Sequence, residues 1–269
     1  MKNTIILTVH NKEKTIQKIL YNLCKTVSDI TIELIIILDG CTDGTLIQVK
    51  NFLNLNKFAI KIRLIMTDDI WETKANNVGL KKVRTKYATI VQDDMLMKHN
   101  KWDKKLIKNF INFRLFAVSG RAAHNFSFMD NKFKVVNLFG REYPLTDNNI
   151  LGKLVGKFVY LFKPYWIYRY INFFDIRLVV NRGPLMLDMS KARELSFFDE
   201  IFAPFELDDI DLCCRAFKKF GLYSAANPIY YIELDGSKKN NPKSKIVSEN
   251  CIKKNTKIII ERHYELSKK

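Results

Sequence analysis

The N-terminal part of the chain alternates between short aliphatic segments and amphipathic ones, and this alternation restricts the fold more than any other feature. Residues 4–9 and 32–38 are mostly apolar runs, typical of strands buried on both faces of a parallel sheet, and 60–66 is predicted as a third strand. Apolar residues after the first run have helical spacing, at Ile16, Ile19, Leu20 and Leu23. Alternating strands and helices predict an α/β fold with a mostly parallel, doubly wound central sheet flanked by helices.

A fourth apolar strand, YATIVQ at 87–92, runs directly into two adjacent carboxylates, Asp93 and Asp94. Parallel sheets bind ligands at the carboxyl ends of their strands, so acids at this position are ligand candidates. Neighbouring carboxylates repel each other unless a cation or a ribose hydroxyl lies against them. The pair therefore favours a divalent metal beside a phosphate, with an ordinary solvated turn as the alternative.

Polar loops also follow the other predicted strands, and right-handed crossovers bring these loops to the same sheet edge. The first loop contains His10 and Asn11, of which Asn11 is predicted to cap the following helix. The second begins at Asp39 and leads into a helix predicted at 46–52. These two loops and the Asp93-Asp94 turn should therefore converge.

Charge and cysteine content narrow the partners and the compartment. Lys and Arg number 45 against 28 Asp and Glu, a formal net charge of +17 that favours nucleic acid, an anionic membrane face or phosphorylated substrates. The five cysteines show no CxxC spacing, which predicts neither a disulfide framework nor a zinc site. With no apolar run of about 18 residues, we expect a cytoplasmic protein, soluble or peripheral on the inner face of the membrane.

The loop after the first strand excludes several nucleotide-binding folds. Its sequence, TVHNKEKT, lacks the GxGxxG of dinucleotide-binding folds and the GxxxxGK[ST] of phosphate-loop hydrolases. It also lacks the Gly-rich loop ending in Arg that begins sugar nucleotidylyltransferases.

Five segments in this chain match known motifs in order. TVHNKEKTI at 8–16 resembles P-x-Y-N-E-E, LDGCTDGT at 38–45 resembles D-D-G-S-x-D-G-T, and KANNVGL at 74–80 resembles A-R-N-x-G. QDDM at 92–95 stands for D-x-D, and the segment at 183–216 resembles an acceptor-side region ending in E-D-x-D-L-x-x-R. Together the five resemble the family-2 glycosyltransferases of bacterial surface-glycan type, inverting enzymes with the GT-A fold.

The resemblance implies a nucleotide-sugar donor, which we expect to be UDP-linked, and a Mn²⁺ or Mg²⁺ ion. Its donor-binding residues are implied to be Thr8, Glu13, Asp39, Lys74 and Asp93. Asp39 would recognise the nucleobase, with Thr8 and Glu13 in the same pocket, and Asp93 would lie against the ribose. Asp94 would coordinate the metal, which can stabilise the charge on a leaving nucleoside diphosphate.

The acceptor side is implied by the segment ELDDIDLCCR at 206–215. Asp209 takes the position of the base that removes the proton of the acceptor hydroxyl, on a glycan or a lipid-linked acceptor. Asp208, Asp211 and Arg215 are supporting residues on the same predicted helix. The alternatives are acids that only complement the helix dipole and an Arg on an exposed helix face.

Departures from the family pattern keep two other functions open. Leu38 and Gln92 replace family aspartates, and no His follows the next strand, where Glu233 or Asp235 could supply an oxygen ligand or be an ordinary strand-end acid. These changes suggest an inactive glycosyltransferase-like scaffold as one alternative. The net charge suggests a nucleic-acid-binding protein as the other, although the acidic loops would repel a polyanion.

The pattern divides the chain into a catalytic domain at 1–237 and a basic C-terminal appendage at 238–269. Within the domain we expect a nucleotide-binding half at about 1–121, an insertion at about 122–182 and an acceptor half at about 183–237. The insertion contains a predicted helix at 150–162 and an aromatic, basic segment at 165–171, which could lie in a membrane interface or fold over the acceptor site. The appendage contains a predicted helix at 252–266, either a second membrane contact or a solvated face.

Overall fold

The computed structural model describes residues 1–55, 57–121, 123–129, 132–136, 175–227, 229–234 and 242–268. The strands are β1 Asn3–Val9, β2 Thr31–Asp39, β3 Lys61–Thr67, β4 Tyr87–Gln92, β5 Met95–Met97, β6 Leu115–Ser119, β7 Ala123–Met129, β8 Lys132–Val136, β9 Asp175–Arg177, β10 Val179–Val180, β11 Leu185–Asp188, β12 Tyr223–Ala226 and β13 Tyr231–Glu233. The helices are α1 Ile16–Thr26, α2 Thr45–Leu55, α3 Trp71–Lys82, α4 Trp102–Asn112, α5 Met189–Glu194, α6 Asp208–Phe220 and α7 Pro242–His263. The predicted helix at 150–162, the aromatic segment at 165–171 and Asp235 lie outside the described residues.

The predicted α/β sheet is confirmed. Among the described residues, eight strands form one sheet in the order β3-β2-β1-β4-β11-β6-β12-β9. β1 pairs in parallel with β2 and β4, and β2 pairs in parallel with β3. β11 runs antiparallel between β4 and β6, and β9 is antiparallel to β12, so both are exceptions in a mostly parallel sheet.

Helices cover both faces of this sheet, which explains why its central strands β1, β2 and β4 are mostly apolar. On β1, Ile5 and Leu7 are fully buried in a core shared with α1, α2 and α4. Ile6 points the other way, into a core shared with α3, α5 and α6. Each such side chain contributes about 1.5–3 kcal/mol by leaving water, so the two-sided burial holds the central strands in place.

One predicted cap is wrong. α1 begins at Ile16 with Thr15 as its N-terminal flanking residue, and Asn11 lies outside the helix in a left-handed conformation with φ of 50°. The Asn11 carboxamide oxygen instead accepts hydrogen bonds from the backbone N–H of Thr42 at 2.8 Å and of Asp43 at 3.3 Å. Asn11 therefore ties the loop after β1 to the loop after β2, an interaction between loops that local sequence does not encode.

The C-terminal helix α7 begins earlier than predicted and packs onto the rest of the fold. Cys251, Asn255 and Ile259, one helical turn apart, are all buried. The Asn255 amide donates to the backbone carbonyls of Phe202 at 3.0 Å and Glu206 at 2.8 Å. Within the described part of the chain, no helix has the length and apolar character needed to cross a membrane.

Candidate active site

His10 joins the loops after three parallel strands at the carboxyl edge of the sheet. Its backbone N–H donates to Asp93 Oδ2 at 3.1 Å, at the end of β4. Its ring Nδ1 lies 2.7 Å from the carbonyl oxygen of Asp39, at the end of β2, and donates to it. The predicted convergence of these loops is therefore present in the fold.

Asp39 is buried and holds the loop that follows β3. Its Oδ1 accepts hydrogen bonds from Thr67 Oγ1 and from the Ile70 N–H, both at 2.8 Å. Its Oδ2 accepts from the Trp71 N–H, also at 2.8 Å. A carboxylate offers about four acceptor positions, so three are used for the loop and one, on Oδ2, is left for another donor.

Trp71 adopts an unusual backbone conformation at this point. Its φ is 70°, in the left-handed region that a bulky side chain rarely occupies, and its side chain is 42% exposed. The indole lies 5.9 Å from the ring of Phe205, in the segment that precedes α6. Strain of this kind is concentrated at functional sites, and here it accompanies the bond from the Trp71 N–H to Asp39.

Asp93 and Asp94 occupy a partly buried position at the end of β4. Burial raises the pKa of Asp93 to about 6, although the Lys12 ammonium and the His10 N–H act in the opposite direction. Burial also raises the pKa of Asp94. The Lys12 Nζ lies 3.5 Å from Asp93 Oδ1.

The residues present fit a divalent metal at Asp94. Asp94 Oδ1 is buried and has no hydrogen-bond partner among the described residues, a condition that a cation ligand would relieve. No cluster of three or more His, Cys, Asp or Glu side chains that could hold a metal occurs among those residues. Mg²⁺ sites beside phosphates commonly use one or two carboxylates and complete their shell with phosphate oxygens and water, so one carboxylate suffices. Glu233, on β13, lies close enough to Asp94 to raise its pKa further.

The other predicted donor residues lie around this edge with different contacts. Thr8, at the end of β1, donates to Asn76 Oδ1 on α3 at 2.8 Å. Glu13 is exposed, and its Oε2 accepts from the Gly44 N–H at 3.2 Å, which places it against the turn into α2. Lys74 is exposed on α3.

A second acidic cluster surrounds the buried guanidinium of Arg182, just before β11. Arg182 Nη2 donates to Asp208 Oδ1 at 2.5 Å, and its Nη1 lies 3.3 Å from Glu72 Oε1. The Arg182 backbone N–H donates to Asp209 Oδ2 at 2.8 Å, and the Ile210 N–H donates to Asp209 Oδ1 at 2.9 Å. The carboxylate of Asp209 is thus held by backbone groups, while that of Asp208 is paired with the guanidinium.

Burial dominates the electrostatics of Asp208 and Asp209. Asp208 is 0% exposed and Asp209 is 7% exposed, and burial raises the pKa of both above the ordinary value. The Arg182 guanidinium opposes this increase for both groups. Asp208 makes the direct ion pair with Arg182, whereas Asp209 Oδ2 lies 4.0 Å from the guanidinium.

Asp211 and Arg215 bond to each other and to neighbouring segments, and not to Asp209. Arg215 Nε donates to Asp211 Oδ2 at 2.6 Å, and its other nitrogens donate to the carbonyls of Leu195 and Phe197 at 2.7 Å. His263 Nε2, from the last turn of α7, lies 2.9 Å from Asp211 Oδ1. The structure therefore places Asp211 and Arg215 where α6, α7 and the segment after α5 meet, and brings Arg215 to Asp211 rather than to Asp209.

The first turn of α3 connects the two acidic clusters. Trp71 bonds to Asp39 through its N–H, and Glu72 pairs with Arg182. Thr73 Oγ1 donates to Asp208 Oδ2 at 2.8 Å. Three consecutive residues thus join the carboxylate of Asp39 at the end of β2 to Arg182 and to the start of α6.

Sequence reasoning missed three residues of this site: Lys12, Glu72 and Arg182. Lys12 precedes Glu13, which the family resemblance assigns to the donor site. A positive charge in a loop predicted to meet two carboxylates was the sequence feature that could have identified it. Arg182 ends the divergent middle region, 26 residues before Asp208, and no local pattern connects the two.

Two solved structures resemble this fold. The mannosyltransferase PcManGT from Pyrobaculum calidifontis, in complex with GDP-Man and Mn²⁺, has a TM-score of 0.58 at 14% identity over 84% of this chain and 55% of that chain. S. aureus TarS 1-349 has a TM-score of 0.51 at 15% identity over 87% of this chain and 60% of that chain. At these identities the likeness concerns the fold, and it confirms the predicted GT-A architecture.

The chain spans between half and two thirds of the length of each of these two proteins. No curated protein matches it significantly in sequence. The profile of the family described as "Glycosyl transferase family 2" matches residues 4–169. That match covers more than half of the 269 residues and includes Asp39, Asp93 and Asp94, so the chain belongs to glycosyl transferase family 2.

Proposed function

We propose that this protein is a metal-dependent inverting glycosyltransferase that moves a sugar from a UDP-linked donor to a hydroxyl group of a glycan or a lipid-linked acceptor. The observation that carries this proposal is the first turn of α3, which joins the loop held by Asp39 to the cluster that holds Asp209. A transferase needs donor and base in one cleft, and this connection supports that arrangement.

The proposed donor-binding site lies at the sheet edge, where the loops after β1, β2 and β4 meet. The free acceptor position on Asp39 Oδ2 can take an N–H of the nucleobase, and Asp93 can accept a ribose hydroxyl. Thr8 and Asn76 lie in the same region, and Asn76 Nδ2 is a buried donor with no partner among the described residues. A nucleotide would satisfy these groups.

Asp94 would hold the metal ion. When bound there, a Mn²⁺ or Mg²⁺ ion neutralises negative charge that develops on the leaving diphosphate. The buried, unpartnered Asp94 Oδ1 supports this role, and so does the Mn²⁺ of the mannosyltransferase complex. That complex contains GDP-Man, so GDP-linked donors belong in any test of nucleotide choice.

Asp209 is proposed to act as the base. Its carboxylate takes the proton of the acceptor hydroxyl while that oxygen attacks the anomeric carbon from the face opposite the diphosphate, so the bond to the diphosphate breaks with inversion. Its raised pKa suits this step, since a base is most effective when its pKa approaches the working pH. Arg182 keeps Asp208 neutralised and, through its backbone N–H, fixes the orientation of Asp209.

We propose a peripheral location on the cytoplasmic face of the membrane, and the charge of the chain supports it. The net charge of +17 suits contact with an anionic membrane surface, where a lipid-linked acceptor would be found. We expect no nucleic-acid partner, because the acids at the sheet edge would repel a long polyanion. We further propose the division into nucleotide-binding half, insertion, acceptor half and C-terminal appendage, with α7 supporting the segment before α6.

A thermal-shift panel of UDP-, GDP-, CMP- and dTDP-sugars, with and without Mn²⁺, tests the proposal. A ligand that binds only the native state raises Tm, so selective stabilisation by UDP-sugars that increases with Mn²⁺ is expected. Stabilisation by no donor under either condition would contradict the proposal. Stabilisation with unmeasurable donor hydrolysis at high enzyme concentration would favour an inactive scaffold.

A further inference from the structure

Lys12 places a buried positive charge beside the two carboxylates that follow β4. Its side chain is 9% exposed, and its Nζ lies 3.5 Å from Asp93 Oδ1. The same ammonium interacts favourably with the ionised form of Asp94. A lysine is seldom buried unless it is paired, and here Asp93 is the partner.

The Lys12 side chain is not needed for the local backbone structure. Its backbone N–H donates to Thr45 Oγ1 at 2.7 Å, and its carbonyl accepts from the Thr15 and Ile16 N–H groups at 3.0 and 2.9 Å. On Lys12 these bonds use main-chain atoms alone, and they join the loop after β1 to the starts of α1 and α2. A change at the side chain can therefore alter the charge of the site while preserving the loop.

The charges explain what the ammonium does. Asp93 and Asp94 with Lys12 carry a net charge of −1, whereas the two carboxylates alone would carry −2. A divalent cation is attracted less strongly to the first arrangement than to the second. A diphosphate shows the opposite preference, because it is repelled by the carboxylates and attracted by the ammonium.

We infer that Lys12 is a diphosphate-binding residue that also weakens metal binding in the absence of donor, so that the ion is held firmly only together with the nucleotide. This inference rests on the proposed function, since it assigns a role within the same donor site. It predicts a metal affinity that is low for the free protein and rises when a nucleoside diphosphate is present.

Isothermal titration of Lys12→Met tests the inference, because the variant should bind nucleotide more weakly and metal more tightly. The probes are UDP and GDP in the presence of a chelator, and Mn²⁺ alone. Relative to the unmodified protein, Lys12→Met should bind the preferred nucleotide at least tenfold more weakly without metal and should bind Mn²⁺ alone at least threefold more tightly. General damage to the fold would weaken both.

Two further variants sharpen the result. Lys12→Arg keeps the charge and should retain metal-free nucleotide binding, whereas Lys14→Met removes an exposed lysine from the same loop and should change neither affinity. Unchanged affinities in Lys12→Met, with normal nucleotide binding by the unmodified protein, would overturn the inference alone. Failure of the unmodified protein to bind UDP or GDP even with Mn²⁺ would overturn the proposed function as well.

Discussion

Replacing Arg182 with Met should destabilise the fold more than replacing an exposed charged residue does. The guanidinium is 8% exposed, lies 2.5 Å from a fully buried carboxylate on Asp208, and lies 4.0 Å from Asp209. Glu72, at 3.3 Å, is 28% exposed and can be solvated when Arg182 is lost, so its ion pair adds little to the loss of stability. Removing one partner from a buried ion pair typically costs about 3–5 kcal/mol, because the remaining charge is left without compensation.

The loss should appear directly as a change in Tm. For a chain of this size, 1 kcal/mol corresponds to about 2 °C, so Arg182→Met should lower Tm by about 6–10 °C at pH 7.5. Arg121→Met is the matched control, because Arg121 pairs with Glu233 across 3.8 Å with both side chains more than 40% exposed. That exposed pair contributes less than about 1 kcal/mol, so its loss should barely change Tm.

The destabilisation of Arg182→Met should also depend on pH. The pKa values of Asp208 and Asp209 are already raised by burial, and loss of the guanidinium raises them further. A carboxyl group with a higher pKa in the folded state favours folding when it is protonated, so stability increases as pH falls through that folded pKa. The difference in Tm between the variant and the unmodified protein should narrow from pH 7.5 to pH 5. A loss equal to that of Arg121→Met, or one that does not change with pH, would refute this reasoning.

Three further predictions concern the base and its support. Asp209→Asn should lower kcat by at least about 100-fold because no group takes the hydroxyl proton, while the donor Kd stays nearly unchanged; transfer at the normal rate would remove Asp209 as the base. The kcat/KM of the unmodified protein should decline, as pH is lowered, around a pKa above the ordinary Asp value of 3.8, and a pH-rate profile with no such acid limb would contradict the raised pKa. Asn255→Ala should cost about 1–3 kcal/mol by stranding buried carbonyls before α6 and should reduce kcat, whereas Lys253→Ala, on an exposed face, should do neither; urea unfolding and steady-state kinetics measure both.

The fold could be predicted largely because its central strands are buried on both faces. A strand such as β2, with Ile35, Ile36 and Ile37 all fully buried, must be apolar at successive positions, and that pattern is visible in the sequence. Element ends were less predictable, because they depend on contacts between distant loops. Asn11 shows this, since its carboxamide bonds to Thr42 instead of capping α1.

The candidate site was predictable where its residues follow strands or form a compact motif. Asp39 ends a strand that local sequence reveals, Asp93 and Asp94 follow another, and Asp209 belongs to a short continuous motif at the start of α6. Arg182 could not be found in this way, because the guanidinium reaches its partners only after β11 is inserted antiparallel between β4 and β6. Its contacts with Asp208 and Asp209 therefore can be seen only in the tertiary structure.

The most direct test of the account is the Mn²⁺ dependence of UDP affinity, measured by isothermal titration for the unmodified protein and for Asp94→Ala. Mn²⁺ should strengthen UDP binding by at least tenfold in the unmodified protein, because the proposed metal ligand, the buried Asp94 Oδ1, would hold an ion that also attracts the diphosphate. In Asp94→Ala the same addition of Mn²⁺ should have little effect, while the metal-free affinity persists. An equal gain from Mn²⁺ in both proteins would contradict the assignment of Asp94 and, with it, the placement of the donor at this edge of the sheet.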